Sequence, residues 1–393
     1  MKTKIFIIVI ILGYGSLVAQ KGSLQEVLSE IEKNNTTLKA LREDGKAQKL
    51  SNKSGIYLTG PEAEIAYLWG NPSAIGSRTD ISIKQSFDIP TITGIKSKLA
   101  KDQNNLVDIQ LEADRAAILL EAKQLYIKLI YYNALQLQTK TRLQHAETIA
   151  QSTKMRLDKG DASILEYNKS QLYQSSVQAE AERVEIERNE IIAELKRLNG
   201  GTEIVTGMTQ YDRAALPPDF KNWFNEVAIK NPALLYANKA VDVNKKQLTL
   251  HKTANLPSLS AGYMSEKVVG QQYRGFTVGV SVPLWEHKNR VKQAQAALLA
   301  SETHRDDNKL QVYNQYQLLY NKAVGLLARV ERVRKSVSVL NNTELLKKAL
   351  DKGEISLVEY VLEMGLYYEY VNNMLEAERD YELTVAELRA AEL

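Results

Sequence analysis

From Leu24 onward apolar residues recur at helical spacing, with Leu24, Val27, Leu28, Ile31, Leu38 and Leu41 on one face. The pattern predicts a helix over 24–58 that Gly60-Pro61 stops. The period then drops to two. Ala63, Ile65, Tyr67 and Trp69 alternate with Glu62 and Glu64. After the loop Gly70-Asn71-Pro72-Ser73-Ala74-Ile75-Gly76, Ile81, Ile83 and Phe87 oppose Asp80, Ser82, Lys84 and Ser86. Two alternating runs about a short Gly/Pro loop predict a β-hairpin. Four-three spacing returns with Ile118, Ala122, Leu125, Leu129 and Tyr132, inside a proline-free stretch over about 91–159. As one helix this stretch is roughly 100 Å long, and a second helix over 163–198 is roughly 53 Å.

The same order then repeats. A helix is predicted over 220–254. Leu259, Ala261 and Tyr263 alternate with Ser258, Ser260 and Gly262, and Phe276, Val278, Val280, Val282 and Leu284 with Thr277, Gly279 and Ser281. A long helix over 286–352 carries Tyr313, Tyr320 and Leu327 seven apart, and a last helix covers 356–391. The repeat is visible in the letters. Leu157-Asp158-Lys159-Gly160-Asp161-Ala162-Ser163-Ile164-Leu165-Glu166-Tyr167 returns 193 positions later as Leu350-Asp351-Lys352-Gly353-Glu354-Ile355-Ser356-Leu357-Val358-Glu359-Tyr360. Asn35-Thr36-Thr37-Leu38 likewise pairs with Asn231-Pro232-Ala233-Leu234. The chain therefore reads as two copies of one unit, 20–199 and 220–393, joined by a linker over 200–219 that forms an equatorial patch. The copies differ in one respect. After the second turn Leu357, Tyr360, Met364, Tyr367, Val371 and Met374 form a strict apolar stripe, whereas their equivalents Ile164, Tyr167, Gln171, Gln174, Gln178 and Ala181 are much wetter.

Strands of about 9–10 residues match a tilted bilayer crossing. Alternation alone fits an amphipathic hairpin on a soluble core equally well. Helices of this length decide between the two, because they ask for coiled-coil neighbours along their whole length and no compact globule needs them. Coiled coils joined to four bilayer-length strands imply a tube. Four strands cannot close a barrel and open edges are not tolerated in lipid, so several chains must contribute. The residues expected to face lipid are Ile65, Tyr67, Trp69, Ile81, Ile83, Tyr263, Phe276, Val278 and Val280.

Composition adds limits. Lys and Arg (51) nearly balance Asp and Glu (47), which gives no field for nucleic acid. Tyr (20) far outnumbers Phe (5), so many aromatic positions keep a polar tip near water. Lys2 and Lys4, the apolar run Ile5–Leu12 and small residues up to Ala19 have the order of a secretory signal peptide over 1–19. There is no cysteine, hence no disulfide and no lipid-bearing Cys. His145, His251, His287 and His304 are scattered, and no nucleotide or zinc motif occurs. No catalytic residue, cofactor or metal ligand is predicted, and the chain is not read as an enzyme.

The turn motifs have a structural explanation. Lys159-Gly160 and Lys352-Gly353 suit a helix C-terminus, and Ser163 with Glu166 and Ser356 with Glu359 are capping boxes for the next helix.

The doubled order of helix, two strands, long helix, turn and helix resembles the TolC family of outer-membrane efflux channels over essentially the whole mature chain. The turns with Gly160 and Gly353 carry the likeness, as do Gln85-Ser86-Phe87-Asp88-Ile89-Pro90 and Ser281-Val282-Pro283-Leu284-Trp285 after strands two and four. The resemblance implies a mainly α fold with a transmembrane β-barrel contribution. Long coiled-coil hairpins would build a periplasmic α-barrel, and four strands per chain would complete the twelve-strand barrel of a homotrimer in the outer membrane. It also implies a periplasmic adaptor and an inner-membrane pump as partners. The adaptor would face Lys159, Gly160, Asp161, Ser163, Lys352, Gly353, Glu354 and Ser356. Carboxylates after the second turn would narrow the tunnel. Glu359 falls on the first such position, and Glu363 stands one residue beyond the second, which is Leu362. Two other readings stay open: a duct for type I protein secretion, and a soluble periplasmic coiled-coil scaffold.

Overall fold

The computed structural model describes residues 22–393 apart from 89, 205, 214, 255 and 283–287, together with all described side chains except that of Pro90. The expected signal peptide, Ile89 and Pro283-Leu284-Trp285 lie outside the described residues. The elements run α1 (Leu24–Asn34), α2 (Thr36–Lys53), β1 (Glu62–Trp69), β2 (Ser77–Phe87), α3 (Pro90–Asp158), α4 (Ile164–Leu198), α5 (Phe220–Ala228), α6 (Pro232–Thr253), β3 (Ser258–Val268), β4 (Gln271–Ser281), α7 (Arg290–Val339), α8 (Thr343–Asp351) and α9 (Leu357–Leu388). The chain is mainly helical with one antiparallel four-stranded sheet.

Three expected helices are divided, each by an asparagine. Asn35 leaves helical geometry (φ −55, ψ 122) and its side chain accepts from the Leu38 amide at 2.8 Å. Asn231 does the same for the Ala233 and Leu234 amides, and Pro232 follows at the first turn of α6. A residue before proline is pushed out of the helical region, so the break there is doubly determined. The second long helix stops at Val339; Asn341 accepts from the Thr343 hydroxyl at 2.8 Å, a local turn that competes with the helix. It is thus roughly 75 Å long, against roughly 100 Å for the 69-residue α3.

Two compact units can be described separately. One comprises residues up to Asn34 with Lys128–Tyr211. Here the end of α4 is tied to α1: Asn34 Nδ2 donates to Asn199 Oδ1 at 3.0 Å, and Asn199 Nδ2 donates to Glu30 at 3.1 Å. Gly200 (φ 62) is required at this junction, since a Cβ would stand 2.6 Å from the Asn34 carbonyl oxygen. Asn133 of α3 accepts from Arg188 of α4 at 2.7 Å and donates to the carbonyls of Thr206 and Met208, fixing the linker to both helices.

The other unit comprises Asn35–Ile127 and Asp212–Leu393. Its helical core is the pairing of α7 with α9. The apolar stripe of α9 continues as a heptad: Leu357, Met364, Val371, Glu378 and Val385 alternate with Tyr360, Tyr367, Met374, Tyr381 and Leu388. Ala377, Tyr381 and Val385 pack against Ala323 and Val330 of α7, which are themselves seven apart. Coiled-coil spacing keeps this seam facing its partner. Glu378 interrupts the stripe and is answered by Arg334 of α7, whose Nε and Nη2 donate to it at 3.0 and 2.5 Å. Phe220, Trp223 and Phe224 of α5 stack among Tyr313, Tyr316 and Tyr320 of α7, and Asn231 Nδ2 donates to the Tyr316 hydroxyl at 3.1 Å.

The sheet belongs to this second unit. Its order is β1-β2-β3-β4, so the hairpins of both sequence copies share one sheet through the β2–β3 pairing.

Candidate functional site

Three surfaces carry the expected functional residues: the sheet, the turn after α3 and the turn after α8.

Direct partners in an antiparallel sheet lie on the same face, so the register assigns every side chain. Ile65 opposes Ile81, Ala63 opposes Ile83, Ile83 opposes Tyr263 and Tyr263 opposes Phe276. Ala261 opposes Val278, and Leu259 opposes both Phe87 and Val280. All nine residues expected to face lipid therefore share one face. None is covered: Trp69 is 81% exposed, Phe276 91% and Val278 83%. The opposite face is mostly polar and carries an ion-pair cluster. Arg78 bonds Asp80 at 2.9 Å and reaches Glu266 at 3.2 Å, and Glu62 stands opposite Lys84.

On β1 the apolar residues extend through Trp69 at the turn end. On β4 they begin at Phe276 and run to Val280 at the other end, with Gln272 and Arg274 polar above them. The apolar band thus crosses the strands obliquely, the slope that strands tilted by roughly 35–45° in a bilayer would give. Among the described residues β1 and β4 each pair on one side only. An exposed apolar face this continuous, with two open edges, is an interaction surface rather than a protein exterior.

The turn after α3 closes α3 with a Schellman pair: the Gly160 amide donates to the Leu157 carbonyl at 2.9 Å and the Asp161 amide to that of Arg156 at 2.7 Å. Gly160 has φ 81, which the motif requires. Ser163 and Glu166 then form a reciprocal capping box. Arg156 braces this turn, with Nη2 donating to the Asp161 carbonyl at 3.0 Å and Nη1 3.6 Å from Glu166.

The turn after α8 is built alike. Gly353 (φ 71) donates to Leu350 at 3.0 Å, Glu354 donates to Ala349 at 2.9 Å, and Ser356 and Glu359 form the second capping box. It lacks the arginine brace, because Ala349 occupies the place of Arg156. Among the described residues Lys352 reaches only Glu354, at 3.9 Å. Glu359 and Glu363 are both exposed and one helical turn apart on α9. Val358, Leu362, Leu366 and Tyr370 lie exposed beside them. The Ser356 backbone amide, and then its hydroxyl, hold the Glu359 carboxyl below the usual carboxylate range. Within one chain the cap therefore acts against the upward shift that crowded carboxylates produce.

Sequence reasoning missed a set of buried charges in the second unit. Glu382, one turn beyond Glu378, is buried, and its Oε1 has no hydrogen-bond partner among the described residues. Burial raises its pKa to about 7, opposed by Arg213 and Lys123 and reinforced by Glu378 and Asp212. Asp102 of α3 is buried between Lys239, at 2.7 Å, and Lys246 of α6. The available signal was the acid at 378 inside an otherwise apolar heptad. No group of metal-ligating side chains occurs among the described residues, and no described helix is long and apolar enough to cross a membrane.

No protein-family model matches the sequence, and no curated protein matches it significantly. Solved structures do match in fold. CusC, studied for the conformational changes accompanying folding and transmembrane channel formation, superposes with a TM-score of 0.78 at 12% identity, over 95% of this chain and 92% of its own. The CmeC outer membrane channel of Campylobacter jejuni gives 0.76 at 15% identity, over 94% and 85%. The open state of the MtrE outer membrane channel of Neisseria gonorrhoeae gives 0.72 at 13% identity, over 94% and 88%. The chain has, over nearly its whole length, the fold of the TolC-like outer-membrane channels.

Proposed function

We propose that the chain is the outer-membrane exit duct of a tripartite efflux system, acting as a homotrimer that passively conducts what an inner-membrane pump and a periplasmic adaptor deliver. The observation that carries this reading is the sheet: one face whose apolar side chains are exposed, one mostly polar face that holds the Arg78 ion pairs, and, among the described residues, edges at β1 and β4 that pair on one side only. Pairing β4 of one protomer with β1 of the next removes every edge, and three copies give twelve strands. The apolar face then meets lipid and the charged face lines the pore, which is the one arrangement of open sheets that a bilayer accepts. A soluble coiled-coil scaffold would have no use for such a face. The turns at Gly160 and Gly353 are the proposed adaptor contacts, because each is rigidly capped at both helix ends and exposes its polar side chains. Three copies of Glu359 and Glu363 around one axis would form a cation-attracting constriction, and the exposed Val358, Leu362, Leu366 and Tyr370 beside them would pack against neighbouring helices.

The test is membrane behaviour and conductance. Outer-membrane fractions washed with high salt and then alkali should retain the protein, and the purified trimer should open ion-conducting pores in planar bilayers. Release by either wash, or an absence of pores from material that inserts, contradicts the proposal.

A further inference from the structure

The register sorts the charges of the sheet by face. Glu62, Glu64, Arg78, Asp80, Lys84 and Glu266 all lie on the face opposite the apolar band. The apolar face carries two charged residues, both cationic: Lys267 on β3 and Arg274 on β4. They sit on adjacent rows, since Arg274 opposes Ser265 and Lys267 opposes Gln272. Arg274 Nη2 donates to Gln272 Oε1 at 2.7 Å, and Gln272 Nε2 donates to Ser265 Oγ at 3.1 Å, so the arginine is oriented by neutral partners. Both cations are exposed, and neither forms an ion pair among the described residues. The next row towards the middle of the sheet is Tyr263 and Phe276, edge to face with centroids 6.2 Å apart, where the apolar band of these strands begins.

An apolar band ending in an aromatic row, followed at once by cations without counter-charge, matches the order of environments across a bilayer surface: hydrocarbon, interface, anionic headgroup. We propose that Lys267 and Arg274 form a docking site for the phosphate groups of lipids in the leaflet around the turn end of β3–β4. Charge complementarity selects the occupant. The face offers two positive charges, hydrogen-bond donors from Arg274 and Lys267, and no acid to repel a phosphate, while the adjoining aromatic row accepts the acyl region. The inference rests on the proposed duct, because it needs this face in lipid.

The experiment uses the full-length protein purified as the detergent-solubilised trimer, delipidated and offered lipid A carrying its phosphates or dephosphorylated lipid A, with retained lipid counted by native mass spectrometry. The wild type should retain the phosphorylated form preferentially, and millimolar inorganic phosphate should not displace it. Each cation near an anionic surface contributes roughly fivefold in association. The double variant K267Q/R274Q should therefore lose most of that preference, by about tenfold or more, with trimer yield and conductance unchanged. The inner-face control K84Q should keep it. Retention by K267Q/R274Q equal to wild type overturns the proposal and leaves the duct reading standing, and so does displacement by inorganic phosphate, which would mark a free-anion site. A wild-type protein that neither inserts nor forms trimers removes both.

Discussion

Replacing Ile65 or Val280 with arginine separates a sheet that faces lipid from one that faces water. Both side chains are exposed in the chain, at 76% and 63%; Ile65 lies inside the oblique apolar band, and Val280 ends it on β4. If that face met water, an arginine would displace nothing, and surface substitutions of this kind stay within about 0.5 kcal/mol. In a bilayer the same change at mid-depth costs about 2–4 kcal/mol for each strand. That is a roughly 30- to 700-fold loss in the folding equilibrium of one chain, and in a trimer the penalty enters three times. The readout is the fraction of protein in outer membranes that runs as a dissociation-resistant trimer on a semi-native gel. I65R should reduce it severely, and V280R, at the end of the band, should reduce it less. The control S82R, on the polar face opposite Glu64, should assemble normally. Wild-type assembly of both I65R and V280R would refute the lipid-facing assignment.

Other substitutions test the helices and turns. E378A strips Arg334 of two charged hydrogen bonds and should lower stability by about 2 kcal/mol in thermal melts, whereas E378L removes the same bonds but adds apolar packing to the heptad and should lose less; equal losses in both would show that the ion pair, and not the missing apolar contact, sets the cost. Glu382 has a folded pKa raised above the ordinary carboxylate value, so its favourable protonation is fully present in acid and is lost as pH rises towards about 7. E382Q should thus match the wild type near pH 5 and melt higher at pH 8, and an unchanged difference between those two conditions would contradict the assignment. G353A forces a Cβ into the left-handed region and should cost about 1 kcal/mol, seen as faster amide exchange over the first turn of α9; unaltered exchange there would argue against the Schellman cap as the determinant of this turn. E359A/E363A should weaken block by divalent cations and raise single-channel conductance, and unchanged block would discard the constriction.

The elements whose burial follows one period were legible in the sequence. The α9 stripe, the two faces of each strand and both Gly-Ser turns appear in the structure as their spacing predicts, because one local rule determines each. The helix breaks were written in the pairs Asn35-Thr36 and Asn231-Pro232, but the apolar spacing runs across them and hides the cap. β3 continues to Val268 past the point where Glu266 and Lys267 remove the alternation, since main-chain pairing with β2 and β4 holds it in the sheet. The β2–β3 pairing, which unites the two copies, joins segments far apart in sequence and has no local signature. Glu382 sits at a heptad-flanking position that is normally solvated; the structure buries it where the charges of Lys123, Arg213 and Asp212, distant in sequence, act on it.

Electron microscopy of the protein purified from outer membranes in mild detergent tests the central claim most directly. A threefold, hollow particle on the order of 130 Å long, from helix plus tilted strand, is the expected result. A compact or solid particle, or protein recovered only from the soluble periplasm, would contradict it.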